Sequence, residues 1–176
     1  MTIDLRYPVG KFSHEGEITP SQREEWIREI EQLPERLAAA VSGLSQDQLD
    51  TPYRDGGWTV RQVAHHVADS HMNSIMRFKL ALTESEPAIK PYDENAWAQL
   101  EDTRQAPIEH ALDSVRSLHA RWVLLLRSMS DADFAKTFYH PENKRVSRLD
   151  RTLGLYAWHG RHHVAHITGL RERMGW

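Results

Sequence analysis

The chain has 176 residues, of which 40% are apolar and 27% charged, and its net charge is −3. This length and balance predict one soluble globular domain, 1–176, that is large enough to bury a core. No lysine- or arginine-rich block indicates a nucleic-acid surface, and no apolar run approaches the roughly 18 residues of a membrane span. The first residues lack the apolar core of a signal peptide, so we expect a cytoplasmic protein. Cysteine is absent, which excludes disulfides, thiolate ligands and a cysteine nucleophile.

The first predicted elements are an extended arm and a helix. Residues 1–18 contain a proline, glycines and scattered apolar residues without a helical period, which is typical of an extended arm. A helix is expected after Thr19, which can cap it, with Gln22 at the position that completes a capping box. Apolar residues then recur every three or four positions as far as Leu44, and Pro34 is expected to bend this helix.

A second helix and a long connection follow. Residues 50–58 are predicted to be a loop because they contain proline and paired glycines, and 59–62 match a second capping box. The helical period then continues to about Leu82. Residues 83–106 form a long connection in which 93–100 can make a short helix. Connections of this length are often functional, and we expect this one to lie over one mouth of the helical assembly.

The last two long helices complete an all-α architecture. Residues 107–129 keep a helical period, 130–147 are expected to be irregular, and 149–173 form the final helix. No segment shows the alternation of a β-strand. Four amphipathic helices with two long connections predict a four-helix bundle, and such bundles place metal sites between facing helices.

The final helix carries a cluster of histidines on its otherwise apolar face. His159 and His163 are four residues apart, so their rings lie one turn apart on the same side, and His166 continues that line. Two such imidazoles can bind one divalent metal at about 2.0–2.1 Å. Buried histidines that each make one hydrogen bond would give the same pattern. His162 falls off this line and is expected at the rim.

A third ligand can come from the second predicted helix. His66 lies on the polar stripe beside the core face of that helix, from which it could meet His159 and His163 across the interface. His65 points about 100° away and is the poorer candidate. His119, on the third long helix, is interpreted as a packed residue. Three imidazoles would leave a metal with open positions, which is the pattern of catalytic sites.

Several long stretches of the chain resemble one family. They are 50–63, 65–74, 77–80, 90–94, 138–141 and 159–166. In these stretches the chain resembles the DinB-like metal-dependent bundles and, within them, the YfiT-type metal-dependent hydrolases, over nearly its whole length. The resemblance implies an up-down-down-up four-helix bundle and a cytoplasmic homodimer.

The resemblance also implies a metal site. One divalent ion, zinc or nickel, would be held by His66, His159 and His163, which occupy the positions of the family's three ligands. Many DinB-like proteins have glutamine where this chain has His166, so this ring is expected to be a pocket group rather than a ligand. The wider family includes S-transferases that use low-molecular-weight thiols such as bacillithiol or mycothiol.

Three functions are compatible with such a site. In a hydrolase, the metal would activate water for attack on a small-molecule substrate. In an S-transferase, a thiol from solution would be the nucleophile, since the chain has no cysteine. In a non-catalytic binding module, the metal would only stabilise the fold. Asp69, Glu94 and His166 are candidate acid–base groups or partners of the ligands, although residue type and position favour a surface or structural role for each of them.

Overall fold

The computed structural model describes residues 4–176, so the first three residues of the predicted arm lie outside the described part. The elements are α1 (Pro20–Val41), α2 (Gln46–Leu49), α3 (Val60–Thr83), α4 (Glu94–Trp97), α5 (Glu101–Gln105), α6 (Ile108–Ser128), α7 (Asp131–Phe134), β1 (Thr137–His140), β2 (Arg145–Arg148) and α8 (Leu149–Met174). The four long helices α1, α3, α6 and α8 form a four-helix bundle, which confirms the predicted fold class. Within the described residues, no helix has both the length and the hydropathy of a membrane span.

Side-chain caps set the beginnings of α1 and α3. The hydroxyl of Thr59 accepts a hydrogen bond from the Gln62 backbone N–H at 3.1 Å, and the Gln62 side chain accepts one from the Thr59 N–H at 2.9 Å. The capping box predicted here is therefore complete. Thr19 caps α1 in the same way, but the side chain of Gln22 donates to Glu25 instead, so that box is only half formed.

Helices α1 and α8 run parallel and approach each other closely. A Cβ atom added to Gly154 would lie 2.7 Å from the ring of Trp26, and one added to Gly160 would lie 2.7 Å from the side chain of Leu33. Both contacts advance in the same direction along the two helices, which shows that they are parallel. The two glycines remove the side chains that would otherwise separate the helix axes.

The directions of the other long helices follow from pairs of side chains that touch across each interface. Between α3 and α8 the pairs are His66–His159 and Ser70–Tyr156, and between α3 and α6 they are His71–His119 and Phe78–Trp122. The first two pairs advance in opposite directions along the chain, so α3 and α8 are antiparallel. The second two advance together, so α3 and α6 are parallel. With α1 parallel to α8, the bundle is up-down-down-up.

The core consists of two apolar clusters with histidines between them. One cluster contains Ile30, Ile75 and Trp122, and the other contains Leu37 and Val115, each with further apolar residues. Five histidines on α3, α6 and α8, at or beside the boundary between the clusters, form a set that we call the histidine layer. Its members are His66, His71, His119, His159 and His163. A polar layer therefore crosses the bundle between two apolar regions.

The first long connection folds back over α3. The Gln62 side chain, near the start of α3, donates a hydrogen bond of 2.7 Å to the backbone carbonyl of Ala98, just after α4. Asp93 caps α4 by accepting from the Ala96 N–H. A short helix within 93–100 was predicted, and α4 confirms it. The connection therefore packs against the start of α3, and its position over a mouth of the bundle stays a prediction.

The second long connection contains a β-hairpin, so the prediction of an irregular segment without strands is wrong. β1 pairs antiparallel with β2, and Phe138 faces Ser147 in the register. Tyr139 also exchanges backbone hydrogen bonds with the first connection, donating to Pro87 and accepting from Ile89. Strands of four residues are too short to show a clear alternation in sequence. The backbone hydrogen bonds between the hairpin and the first connection stabilise these short strands.

The described part of the arm, 4–19, forms turns and contains neither helix nor strand. It lies along α8. The indole N–H of Trp158 donates to the backbone carbonyl of Gly10 at 3.1 Å, and the Nε2 atom of His166 lies 3.4 Å from the carbonyl oxygen of Arg6. The arm therefore reaches the same stretch of α8 that carries the histidines.

We expect Gly154→Ala to lower the free energy of unfolding by about 1–3 kcal/mol, because the added methyl group would overlap the ring of the buried Trp26. Gly169→Ala, on the same helix, is the matched control. Its Cβ would meet only the flexible end of Arg173 at 3.4 Å, and alanine favours a helix by up to about 1 kcal/mol. Urea denaturation of both variants measures the difference. Equal stabilities would contradict the close packing of α1 on α8.

Candidate metal centre

The structure brings together the three histidines that the sequence pointed to. His66 on α3 and His159 on α8 place their Nε2 atoms 3.2 Å apart. The ring of His163 lies 4.4 Å from that of His159 and 4.8 Å from that of His66, between centroids. One nitrogen from each ring lies within 4.8 Å of the other two. Two nitrogens bound to one tetrahedral ion at about 2.05 Å are about 3.3 Å apart, so the spacing of His66 and His159 fits one divalent metal, with a nitrogen of His163 within 4.8 Å of both.

The three rings are in the protonation state that binds metal. Burial lowers the pKa of His66 to about 4, and nearby His162 contributes in the same direction. Burial, followed by the proximity of other imidazoles, holds the pKa values of His159 and His163 well below their usual range. All three are therefore neutral at pH 7, and each keeps one nitrogen lone pair available for a metal.

A cavity of about 450 Å³ opens onto these rings. Aromatic side chains form much of its wall. The ring of Trp58 lies 4.6 Å from that of His66, Tyr53 stacks on His166 at 3.9 Å, and Trp158 stacks on His162 at 4.5 Å. Arg6 and Tyr7 of the arm and Arg54 of the loop before α3 also line it. The volume and the apolar walls suit a small molecule.

A second cavity, of about 950 Å³, reaches the same centre from another side. It is lined by polar residues that include Arg77, Tyr92 and His140. Both cavities are bounded by Glu94 and Asn95 at the start of α4 and by His159. The beginning of α4 therefore lies between two openings that lead to one of the predicted ligands.

A second group of histidines lies on α8 alone. His162, His163 and His166 also place one nitrogen each within 4.8 Å of the others. In this group the Nδ1 atoms of His163 and His166 are 3.4 Å apart, while Nε2 of His166 faces the carbonyl of Arg6. We prefer the group that includes His66, because it joins two helices and its Nε2 atoms already have the spacing of metal ligands.

His162 does not lie at the rim as expected, because only 7% of its surface is exposed. Its ring stacks on Trp158, which is in turn bonded to the arm, and it lies 5.9 Å from the ring of Tyr7. The arm and Trp158 thus cover a position that the helical pattern alone places near solvent.

The other predicted residues differ in their distance from the centre. Glu94 is at the edge of both cavities, and partial burial together with Asp93 and Glu142 raises its pKa. Asp69 lines neither cavity and, within residues 4–176, makes no hydrogen bond to the three rings. Burial, with a contribution from Asp102, raises the pKa of Asp69 to about 6. The acid–base roles of these residues and of His166 stay predictions.

Two further histidines are linked to this centre: His71, to which the sequence assigned no role there, and His119, which it predicted to be a packed residue. Nδ1 of His159 lies 3.1 Å from Nε2 of His71, and Nδ1 of His71 lies 2.9 Å from Nε2 of His119. Nδ1 of His119 lies 2.6 Å from the carbonyl oxygen of Ile30. We call His159, His71 and His119 the imidazole chain. A histidine at position 71, on the core face of its helix, was the available signal, because a buried imidazole needs partners.

Comparison with known proteins agrees with this geometry. The sequence model described as the DinB superfamily matches residues 29–167. The chain belongs to the DinB superfamily. The Bacillus mycoides protein "Putative metal-dependent hydrolase BcerKBAB4_2443" is 59% identical over 173 residues, which are 98% of this chain and 99% of that protein. "Putative metal-dependent hydrolase YfiT" of Bacillus subtilis is 51% identical over 175 residues, covering 99% and 98% of the two chains.

A solved structure of Bacillus subtilis YfiT superposes on this DinB-superfamily chain with a TM-score of 0.97 and 52% identity, over 99% of both chains. That protein is described as "a probable metal-dependent hydrolase with an unusual four-helix bundle topology". These relatives confirm the family and the bundle predicted from the sequence. The metal dependence in their names agrees with the histidine cluster found here.

We expect Asp69→Asn to stabilise the protein at pH 8 by on the order of 1 kcal/mol, allowing for solvent screening. The pKa of Asp69 is about 6 in the folded protein and about 3.9 when unfolded. The folded state therefore binds the proton more tightly, and stability falls as the pH rises through this window. Urea denaturation from pH 4 to 8 measures the effect, which should vanish near pH 4. In an Asp102→Asn background the stabilisation by Asp69→Asn should be smaller. A stability difference between Asp69→Asn and wild type that does not change with pH would contradict the raised pKa of Asp69.

Proposed function

We propose that this protein is a metal-dependent hydrolase of a small molecule, with one divalent ion held by His66, His159 and His163. The proposal depends on one observation: a nitrogen from each of three neutral rings lies near one point in the wall of a cavity. The names of the relatives support it. Imidazole ligands suit both zinc and nickel. From the family resemblance alone, we also propose a cytoplasmic homodimer.

The chain's own residues supply the rest of the proposed mechanism. When bound, the ion would activate a water molecule at neutral pH. The rings of Tyr53 and Trp58 limit access of bulk water and hold the apolar part of the substrate. Glu94, at the cavity edge with a raised pKa, would accept the proton of the attacking water on a carboxylate oxygen and return it to the leaving group.

Thiol transfer is the second candidate, and the two cavities favour it. Both cavities reach His159, so a thiol in one could meet an electrophile in the other. The chain has no cysteine, so the thiol would be a small molecule such as bacillithiol. Its sulfur would form the new bond to carbon as the leaving group departs, and its proton would pass to a carboxylate such as that of Glu94. A non-catalytic binding module would need neither cavity.

We expect His66→Ala and His163→Ala to lose stoichiometric metal, because each removes one of three ligands. His166→Ala and His65→Ala are the controls and should keep about one ion per chain. Elemental analysis after dialysis gives both the stoichiometry and the choice between zinc and nickel. If the ion were bound by His162, His163 and His166 instead, the opposite result would be expected. Loss of metal in His166→Ala, with metal retained in His66→Ala, would show that the ion lies in that second group.

We expect Glu94→Gln to keep the metal and to lower kcat by about 10²–10⁴, because the amide cannot accept a proton. The assay uses an activated ester and, separately, an alkylating electrophile, each with and without a small thiol. Ester cleavage without thiol supports hydrolysis, whereas turnover that requires thiol supports transfer. Wild-type turnover in the variant would contradict the role of Glu94.

Metal removal separates catalysis from a structural role. If the metal is catalytic, its removal by a chelator should abolish turnover and leave the circular dichroism spectrum of the bundle unchanged. Unfolding on chelation, without turnover of either substrate by the loaded protein, would favour the binding module.

A further inference from the structure

The imidazole chain ends at the carbonyl oxygen of Ile30, and this oxygen fixes which nitrogen donates in each hydrogen bond of the chain. A carbonyl oxygen can only accept a hydrogen bond, so the contact of 2.6 Å requires the Nδ1–H of His119 to donate to Ile30. In a regular helix the carbonyl of residue 30 would accept from the N–H of residue 34. That residue is Pro34, which lies inside α1 and has no N–H. The proline therefore leaves the Ile30 carbonyl free for His119.

In a neutral imidazole one nitrogen donates and the other accepts, so the donor-to-acceptor direction of one hydrogen bond sets the direction of the next. His71 and His119 are completely buried, at 0% and 1% exposure, and among residues 4–176 neither is bonded to a carboxylate. Complete burial without a charged partner disfavours the protonated, cationic form of each ring. A neutral ring that carries its proton on Nδ1 presents a lone pair at Nε2. Nε2 of His119 thus accepts from Nδ1–H of His71.

The hydrogen bond between His159 and His71 has the same direction as the one between His71 and His119. Nε2 of His71 accepts from Nδ1–H of His159, since the two atoms are 3.1 Å apart. His159 then has its lone pair on Nε2, the atom that lies 3.2 Å from Nε2 of His66. In the other tautomer, a hydrogen on Nε2 would occupy the direction in which a metal must lie.

We infer that His71 and His119 are positioning residues, which hold His159 in the one tautomer that can bind the ion. The inference rests on the proposed metal centre and adds residues that touch neither ion nor substrate. Metal-bound histidines commonly donate their other N–H to a carboxylate, a carbonyl or water, and losing that partner costs 10–100-fold in metal affinity. Here the carbonyl is reached through two further imidazoles.

The packing around the chain supplies a control. Trp122 meets the rings of His71 and His119 edge-on, with centroids 5.7 and 5.8 Å away. Within residues 4–176, its indole N–H has no hydrogen-bond partner. Replacing Trp122 therefore disturbs the packing of the same rings without removing a link of the imidazole chain.

The first test determines the tautomers in the metal-free wild-type protein. Ring ¹⁵N chemical shifts and long-range ¹H–¹⁵N couplings show which nitrogen of each histidine carries the proton. We expect the proton on Nδ1 in His119, His71 and His159. A proton on Nε2 of His159 would overturn the inference. This measurement needs no variant, so it decides the question even if a substitution prevents folding.

The second test compares His119→Phe with His119→Gln by competition with a metal chelator. Phenylalanine cannot accept from His71, so the proton of that ring is free to move to Nε2 and force His159 into the other tautomer. We expect zinc affinity to fall about 10–100-fold and the proton of His159 to shift toward Nε2. Glutamine can both donate and accept, so it should restore most of the affinity.

The control variant is Trp122→Phe, which should lower stability and leave zinc affinity within about twofold, because the links of the chain remain. If His119→Phe bound zinc as tightly as the wild-type protein, the inference would be overturned and the proposed function would stand. A loss of zinc affinity in Trp122→Phe equal to that in His119→Phe would have the same consequence. A wild-type protein that binds neither zinc nor nickel would overturn the proposed function and the inference together.

Discussion

The burial of imidazoles without carboxylate partners constrains this bundle more than any other feature. A buried polar atom left without a hydrogen bond costs about 1–3 kcal/mol, and the histidine layer contains several buried ring nitrogens that each need a partner. The chain satisfies them by pairing imidazole with imidazole and ending the series on the Ile30 carbonyl. This solution fixes how α1, α3, α6 and α8 lie relative to one another, because each provides one member of the series. It also divides the apolar core into two clusters.

The same constraint explains why the three rings favour a bound cation. Nitrogens whose lone pairs face one another repel unless a proton or a cation lies between them. In the inferred tautomer of His159, the lone pair of its Nε2 atom would face Nε2 of His66 at 3.2 Å, beside His163. Since burial keeps these rings neutral, a divalent cation is the partner that satisfies all three lone pairs at once. The fold's internal polar network and the proposed activity therefore have one physical origin.

Local patterns predicted the bundle and its three candidate ligands, because helical period, caps and the spacing of His159 and His163 are encoded within a few residues. The features that were missed depend on contacts across the molecule. His71 and His119 come from different helices, and nothing near either position shows that the rings meet. The hairpin depends on pairing between two connections. The burial of His162 depends on an arm about 150 residues earlier in the chain, and no window of sequence contains both.

The position of that arm affects how the protein should be produced. Arg6 and Tyr7 border the cavity, so a fusion at the amino terminus would begin within a few residues of its mouth. A polyhistidine tag there would bring additional imidazoles to a centre built from imidazoles. It could occupy the cavity or share the ion, and so distort measured stoichiometry and inhibition. Native purification, or a cleavable fusion at the other terminus, avoids this interference and keeps free imidazole out of the final buffer.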